Sequence, residues 1–217
     1  VSLKDSVKLQ FGHDYDYNDV EQKVLISEQT EFTGKNYVDT KMTLFDVDRD
    51  FVFATDYKFD SASPQSSVMF QCFEQNGVNG FKVWNNSGAK IAWGTSSNSI
   101  GSLGNREMTV IRHIKGETGI HVYNSNLSGD KSTYVELTKT RATSTSAPIV
   151  FGCSRADDGA YENYATGTVY WSKVWYADLG DTACKQLVAW THESMDFEMC
   201  GFKRYYLSDN ASKRTAM

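Results

Sequence analysis

The sequence predicts an all-β protein, a two-sheet antiparallel sandwich closed by one short helix. The first observation is a hydrophobic period of two, which recurs in short segments rich in β-branched and aromatic residues. The second is the clusters of Gly, Asn, Asp and Ser between these segments, which are typical of turns. The third is that polar residues alternate with apolar ones, as in antiparallel sheets that bury one face against a second sheet.

The predicted strands follow one another along the chain with little room for helices. In order they are "NYVDTKMTLF", "FVFATDYKF", "SVMFQCFE", "GFKVW", "AKIAWG", "REMTVIRHIK", "GIHVYN", "APIVFGC" and "TGTVYWSKVWY". The chain has 217 residues, of which 40% are hydrophobic, so it is long enough to bury a full core as one main domain.

Composition excludes several classes of partner. The formal charge is −5, and Lys and Arg do not cluster, so we expect no nucleic-acid binding. No stretch approaches the ~18 consecutive apolar residues of a membrane-spanning helix, so we expect no membrane insertion. The four cysteines, at positions 72, 153, 184 and 200, lie at wide spacings without a CxxC pair. This spacing indicates neither a zinc site nor a disulfide scaffold, and it favours buried thiols.

One hairpin is predicted in "VIRHIKGETGIHVYN", where "KGETG" forms the turn. If Glu117 is the midpoint, His113 stands opposite His121 on the same face as Lys115. No carboxylate or cysteine at ligand spacing completes a metal site, so we expect a histidine pair that faces solvent.

The last predicted strand runs directly into the predicted helix within residues 167–187. Trp171 and Trp175 share one parity of the strand, while Tyr170 and Val174 share the other. Because both parities carry large side chains, either both faces of the strand are covered or the strand contains a bulge. A core role for at least one of these tryptophans is favoured over a binding role.

The helix that follows has the pattern of a lid on the sandwich. Asp181 is the predicted N-terminal cap, and Cys184, Leu187 and Val188 recur at i, i+3 and i+4. These three residues form one apolar stripe suited to packing against a sheet.

From Asp50 to Leu187 the order of features resembles the laminin-G-like branch of the concanavalin A-like lectin and glucanase superfamily. The resemblance rests on an early core strand, a mid-domain hairpin, a strand that turns back at glycines, and a closing stretch of strand, rim loop, strand and helix. In order these are "DFVFATDYKF", "GFKVWNNSGAKIAWG", "REMTVIRHIKGETGIHVYN" and "APIVFGCSRADDGAYENYATGTVYWSKVWYADLGDTACKQL". The resemblance implies a jelly-roll sandwich of the concanavalin A-like type.

The resemblance also suggests a domain plan. Residues 36–190 are expected to form the laminin-G-like jelly-roll domain, and residues 1–35 an N-terminal strand and lead-in that belong to the sandwich. Residues 191–217 form a C-terminal extension, either an edge strand or a connection to a following module. The sequence starts at Val1 without a leader-like segment, and we expect it to be a piece of a longer chain.

Superfamily members include lectin modules, β-glucan hydrolases and adhesion domains, so fold alone leaves the function open. The hydrolases place carboxylates at alternate strand positions that face one cleft. The nearest match is Glu193, Asp196 and Glu198, where Glu193 has the wrong parity and the set follows the closing helix. We therefore expect no enzymatic activity, and β-glucanase-like hydrolysis is the second alternative.

A non-catalytic carbohydrate-binding or adhesion module is the favoured interpretation, since sugars are held by aromatic faces and by polar groups on rims. The mid-domain hairpin offers Trp84, Asn85 and Trp93 as ligand-binding residues. The loop before the last strand offers Arg155, Asp157, Asp158, Tyr161, Asn163 and Tyr164. The alternative is that the tryptophans are core or cross-strand partners and that the loop is a solvated connector.

Laminin-G-like domains often hold a calcium ion at the rim, and the resemblance implies that Asp157 and Asp158 could contribute to such a site. A second stretch, "DVDRD" at residues 46–50, looks like a calcium loop. It has Phe51 where the loop requires Gly and Tyr57 where it requires Glu, so a solvated turn is the better interpretation.

Similar modules occur in bacteriophage structural proteins, as tail, fibre or capsid decoration domains, and in bacterial surface proteins. The resemblance therefore implies glycans of a host cell surface as ligands and other virion or surface-protein subunits as neighbours. The expected location is a virion or a cell surface, with homo-oligomers formed through the parent chain. A purely structural domain without a ligand is the first alternative.

Overall fold

The structure is a computed structural model that describes residues 21–43, 49–74, 79–125, 132–136 and 147–189. The described part is a β-sandwich with one short helix, so the predicted fold class is confirmed. The strands are β1 (Gln22–Ile26), β2 (Thr30–Thr33), β3 (Val38–Thr43), β4 (Phe51–Phe59), β5 (Val68–Glu74), β6 (Asn79–Asn85), β7 (Ala89–Trp93), β8 (Ser96–Gly101), β9 (Arg106–His113), β10 (Gly119–Asn124), β11 (Ser132–Glu136), β12 (Pro148–Phe151), β13 (Ser154–Arg155), β14 (Tyr161–Glu162) and β15 (Thr166–Trp175). The helix is α1 (Gly180–Ala189).

Two antiparallel sheets form the sandwich. The seven-stranded sheet has the order β1-β15-β4-β9-β10-β11, and β2 also pairs with β15. The six-stranded sheet has the order β3-β12-β5-β6-β7-β8, and β13 and β14 form a separate two-stranded unit. Within the residues that the structure describes, no helix is long and apolar enough to span a membrane. The predicted C-terminal extension and the carboxylates Glu193, Asp196 and Glu198 lie outside the described residues.

The core between the sheets is rich in aromatic rings. Phe53 lies 5.4 Å from Phe70 and 5.2 Å from Phe81, measured between ring centroids, and all three side chains are buried. Such tilted pairs add about 0.5–1.5 kcal/mol beyond the burial of apolar area. The alternating aromatic residues of the sequence therefore supply the contact between the sheets.

A second core lies on the opposite face of the seven-stranded sheet, under α1. Trp171 and Trp175 are 1% exposed and pack with Cys184 and Leu187 of the helix. The register of β15 against β4 shifts at Tyr170, so the strand contains the bulge that was one of the two predicted explanations. The other explanation also holds, because the seven-stranded sheet is covered on both faces. The bulge turns Trp171 and Trp175 toward the helix.

The prediction that Asp181 caps the helix is wrong, because Asp178 accepts the hydrogen bond at the helix start. The Asp178 carboxylate accepts a hydrogen bond from the Gly180 N–H at 2.8 Å and pairs through both oxygens with Arg112 of β9. Asp181 lies within the first turn, where it accepts a hydrogen bond from the Tyr123 hydroxyl and pairs with Lys185. A carboxylate in the first turn is favourable because it faces the positive end of the helix dipole.

The predicted histidine pair was also wrong. In the observed hairpin His121 stands opposite Arg112, so its register differs from the predicted one by one residue. A one-residue shift moves a side chain to the other face of the sheet. His113 is consequently buried beside Phe51, whereas His121 pairs with Glu117 at 2.8 Å.

The β13–β14 unit lies across the outer face of the six-stranded sheet. Gln71 of β5 points away from the core between the sheets, and its Nε2 donates to the Arg155 carbonyl oxygen at 3.2 Å. The turn between the two strands is closed by a hydrogen bond from the Ala156 N–H to the Ala160 carbonyl oxygen. The predicted rim loop is therefore folded back over a sheet face, where it forms a wall beside an open groove.

Candidate functional site

A groove of about 460 Å³ lies on the outer face of the six-stranded sheet. Its floor comes from β5, β6, β7 and β8 and the connection between the last two, and one wall comes from the β13–β14 unit. The lining residues are Phe73, Lys82, Trp84, Ala92, Gly94, Thr95, Ser97, Glu162 and Asn163. This volume falls in the range typical of small-molecule sites.

Lys82 and Trp84 are presented by one strand. They are two residues apart in β6, and since successive side chains of a strand alternate between faces, both reach the groove. The intervening Val83 is buried in the core between the sheets. The sequence "KVW" therefore places a cation and an indole side by side on the groove floor.

The ammonium group of Lys82 lies over two aromatic rings. Its Nζ is 4.8 Å from the centroid of Phe73 and 5.5 Å from that of Trp84, within the range of cation–π contacts. Burial lowers the Lys82 pKa below its usual 10.5, and the negative charge of Glu162 partly opposes this shift. A half-buried cation that is costly to desolvate would be stabilised by an anionic group entering the groove.

The wall residue Asn163 is held in an unusual conformation. Its φ is 53°, in the left-handed region where Asn is tolerated better than most residues. The side-chain Nδ2 donates to Ser154 Oγ at 2.9 Å and to Glu162 Oε1 at 3.2 Å. The backbone carbonyl oxygen of Asn163 accepts a hydrogen bond from the Val68 N–H. The wall is therefore tied both to its own hairpin and to the sheet beneath it.

On the other side of β14 lies a tyrosine cluster formed by Tyr37, Tyr161 and Tyr164. Tyr37 stacks on Tyr161 with ring centroids 3.9 Å apart and planes inclined by 21°, and it lies 6.3 Å from Tyr164. The Tyr161 hydroxyl donates to the Asp39 carboxylate, which also accepts from Lys41 Nζ at 2.7 Å. The cluster joins the wall of the groove to the edge strand β3.

These hydrogen bonds change the ionisation of the cluster. Burial alone would raise the Asp39 pKa, but the hydrogen bonds from Lys41 and Tyr161 lower it below 3.8. The hydrogen bond to the Asp39 carboxylate raises the Tyr161 pKa above 10.0, because it favours the protonated phenol. Asp39 is therefore ionised and Tyr161 is neutral at physiological pH.

Neither the protein-family models nor the curated proteins include a match to this chain. Among solved structures, the CBM40 module of the Ruminococcus gnavus IT-sialidase has a TM-score of 0.55 at 10% identity, over 77% of this chain and 98% of that one. The same module bound to α2,3-sialyllactose has a TM-score of 0.53 at 10% identity, over 78% and 98%. At this identity the similarity is one of fold.

A larger protein contains the same fold as one of its parts. A mutant of the NanB sialidase from Streptococcus pneumoniae has a TM-score of 0.52 at 10% identity, over 74% of this chain. The chain spans 27% of the length of that sialidase. The similarity therefore covers one part of the larger enzyme.

Two of the residues predicted to bind a ligand lie in the protein interior, so the prediction is wrong for both. Trp93 is 1% exposed, and its Nε1 donates to the Thr118 carbonyl oxygen at 3.1 Å, so it is a core residue. Asn85 is 2% exposed, and its Nδ2 donates to the carbonyl oxygens of Ser63 and Pro64 at 2.7 and 3.0 Å. Both side chains hold the sheet and its loops and have no open surface for a sugar.

The other predicted residues separate into three places. Trp84 and Asn163 line the groove, whereas Tyr161 and Tyr164 belong to the tyrosine cluster. A third set is outside both: Arg155, which is half-buried in β13, and the turn at residues 157–158. The mid-domain hairpin and the loop before the last strand thus meet at the groove. Of the residues predicted to bind a ligand, Trp84 and Asn163 line it.

The predicted calcium ligands lie on the exposed turn of the β13–β14 unit. Asp157 and Asp158 are both exposed, and Asp158 Oδ1 accepts a hydrogen bond from the Ala160 N–H at 2.9 Å. Within the described residues no group of three or more His, Cys, Asp or Glu side chains is arranged to hold a metal ion. Carbonyl oxygens can complete a calcium site, so calcium binding stays a prediction.

Several residues of the site were not predicted. Lys82 could have been found from the sequence, because it alternates with the apolar Phe81 and Val83 along β6. Phe73 has no such signal, because apolar residues occupy both parities of β5. Tyr37 and Asp39 carry no local signal. Their role comes from contacts with Tyr161, which lies more than 100 residues later in the chain. Only the folded structure brings these residues together.

Proposed function

We propose that this chain is a non-catalytic carbohydrate-binding module and that the groove is its binding site. The observation that carries the proposal is the combination on one sheet face of the Trp84 indole, the Lys82 ammonium, and the polar side chains of Glu162 and Asn163. An aromatic face packs on the C–H groups of a sugar ring, and the surrounding polar groups bond its hydroxyls.

We propose further that the preferred glycans carry an acidic sugar. Lys82 is a half-buried cation, and the carboxylate of such a sugar would give its ammonium group a charged hydrogen-bond partner. The module of the Ruminococcus gnavus sialidase, which has the same fold, has a solved structure with α2,3-sialyllactose bound. That similarity makes sialylated glycans the first class to test.

The composition of the groove supports binding rather than hydrolysis. Glycoside hydrolysis ordinarily needs two carboxyl groups that flank the scissile bond. Among the described residues that line the groove, Glu162 is the one carboxylate. This observation favours the non-catalytic proposal over the β-glucanase-like alternative.

The magnitude of such binding suggests how the module would be used. An aromatic contact contributes about 0.5–1.5 kcal/mol, and a few such contacts with hydrogen bonds reach about the −4 kcal/mol of a millimolar complex. Several copies on one particle would raise the apparent affinity through their effective concentration. We therefore propose that the parent protein presents the module in multiple copies on a virion or cell surface and attaches it to host glycans.

The proposal is tested with a multimerised form of the protein on an array that carries sialylated and neutral glycans. We expect binding to sialylated glycans, a loss of about twofold to tenfold in affinity for Trp84→Ala, and a smaller loss for Trp84→Phe, which keeps an aromatic face. Lys82→Gln should lose about tenfold or more on sialylated glycans, since it removes a charged hydrogen bond, with Lys58→Gln on the other sheet as the matched control. An array on which no glycan is bound, or on which Lys58→Gln and Lys82→Gln behave alike, would contradict the proposal.

A further inference from the structure

The groove and the tyrosine cluster are separated by the backbone of one strand. Glu162 and Asn163 line the groove, whereas Tyr161 and Tyr164, which flank them in sequence, belong to the cluster. A regular strand would alternate these side chains between two faces. The positive φ of Asn163 breaks the alternation, so both tyrosines face the same side. Because neighbouring Cα atoms are about 3.8 Å apart, the two surfaces adjoin along β14.

Tyr37 is the most exposed ring of the cluster. Tyr37 is 40% exposed, and among the described residues Val24 is the one other large hydrophobic residue that is exposed. The stack with Tyr161 covers one face of the Tyr37 ring and holds it in place. A flat, partly exposed ring that a second ring holds in place is suited to pack on a sugar ring.

Polar groups lie beside Tyr161, the ring on which Tyr37 stacks. The Lys41 side chain is 76% exposed, and its ammonium group is held by the buried Asp39 carboxylate. Lys41 itself has a φ of 59°, a conformation stabilised by the hydrogen bond from its N–H to Asp39 Oδ1. A preorganised ring and ammonium group lose little conformational freedom when they bind a ligand, which favours affinity.

We infer that the tyrosine cluster is a second sugar subsite. The chain then binds an oligosaccharide across β14, with one sugar in the groove at Trp84 and Lys82 and the next sugar against the exposed ring of Tyr37. This inference rests on the proposed function, and it adds that the ligand is an oligosaccharide rather than a single terminal sugar.

The test compares two probes by calorimetric titration, α2,3-sialyllactose and free N-acetylneuraminic acid. Tyr37→Ala should raise the Kd for the trisaccharide about threefold to tenfold and leave the Kd for the monosaccharide unchanged. Tyr37→Phe should match the unaltered protein, because it keeps the ring face. Tyr37→Leu should behave like Tyr37→Ala, because it restores apolar bulk without a flat ring. Trp84→Ala should weaken both probes.

The outcomes separate this inference from the proposed function. If the unaltered protein binds the trisaccharide and Tyr37→Ala binds it equally well, the second subsite is overturned and the groove stands. An equal loss for both probes also overturns it, since the cluster would then act on the groove indirectly. If the unaltered protein binds neither probe, both the groove and the cluster lose their assigned role.

Discussion

Replacement of Trp171 by alanine should destabilise the protein far more than replacement of Trp84. Trp171 is 1% exposed and fills the space between β15 and α1, whereas Trp84 is half-buried at the edge of a groove. Removal of a buried tryptophan side chain costs about 3–5 kcal/mol, because it forfeits apolar burial and leaves a cavity. For a domain of this size that loss lowers the melting temperature by about 6–20 °C.

The assay is urea and thermal unfolding followed by circular dichroism, with a phenylalanine variant as a control. Trp171→Phe should retain most of the stability, since no described residue accepts a hydrogen bond from the Trp171 Nε1 and the substitution leaves no partner unpaired. Trp84→Ala should cost about 1 kcal/mol, near the average for point substitutions. A loss below about 1 kcal/mol for Trp171→Ala, or a larger loss for Trp84→Ala, would refute the division of the tryptophans into core and site residues.

Three further results are expected. Hydrogen bonds from Lys41 and Tyr161 outweigh burial and lower the Asp39 pKa, so Asp39→Asn should destabilise the protein at pH 7. This difference should shrink as the pH falls below 3.8 and passes through the lowered Asp39 pKa, because the wild-type carboxylate then becomes protonated; pH-dependent urea unfolding measures this. Gly152→Ala should destabilise by several kcal/mol in the same assay, because a Cβ there would lie 2.1 Å from Phe32 Cδ1 and φ is +83°. Calorimetric titration of chelator-treated protein with calcium should give heat and a melting shift, because the turn at 157–158 is predicted to hold the ion; neither signal at millimolar calcium would contradict that prediction.

The sandwich could be predicted because its evidence is local. The period of two, the turn residues and the apolar stripe of the helix each depend on neighbours within a few residues, and they sufficed for the sheets and the lid. Even the bulge at Tyr170 was one of the two predicted explanations for a strand with large residues on both parities. The registers between strands were harder to predict than the strands themselves. The predicted pairing of His113 with His121 depended on the midpoint of one turn, and a shift of one residue placed the two side chains on opposite faces of the sheet.

The candidate site could be predicted only in part, because its two walls are distant in sequence. Each of the two stretches named from the sequence contributes a residue to the lining of the groove, but aromatic character alone cannot separate Trp84 in the groove from Trp93 in the core. Their difference comes from the face that each strand turns toward the second sheet. The contact of Tyr37 with Tyr161 has no sequence signal, since β3 and β14 are brought together only by the folded sheet.

The most direct test of the proposed site is an NMR titration that observes the indole N–H signals of the five tryptophans. The Trp84 signal is assigned by its absence from the spectrum of Trp84→Phe. On addition of millimolar α2,3-sialyllactose we predict that the Trp84 signal shifts, while those of Trp93 and Trp171, which are buried in the two cores, stay in place. An unchanged Trp84 signal at saturating trisaccharide, or a shift confined to the buried tryptophans, would contradict the assignment of the groove as a glycan-binding site.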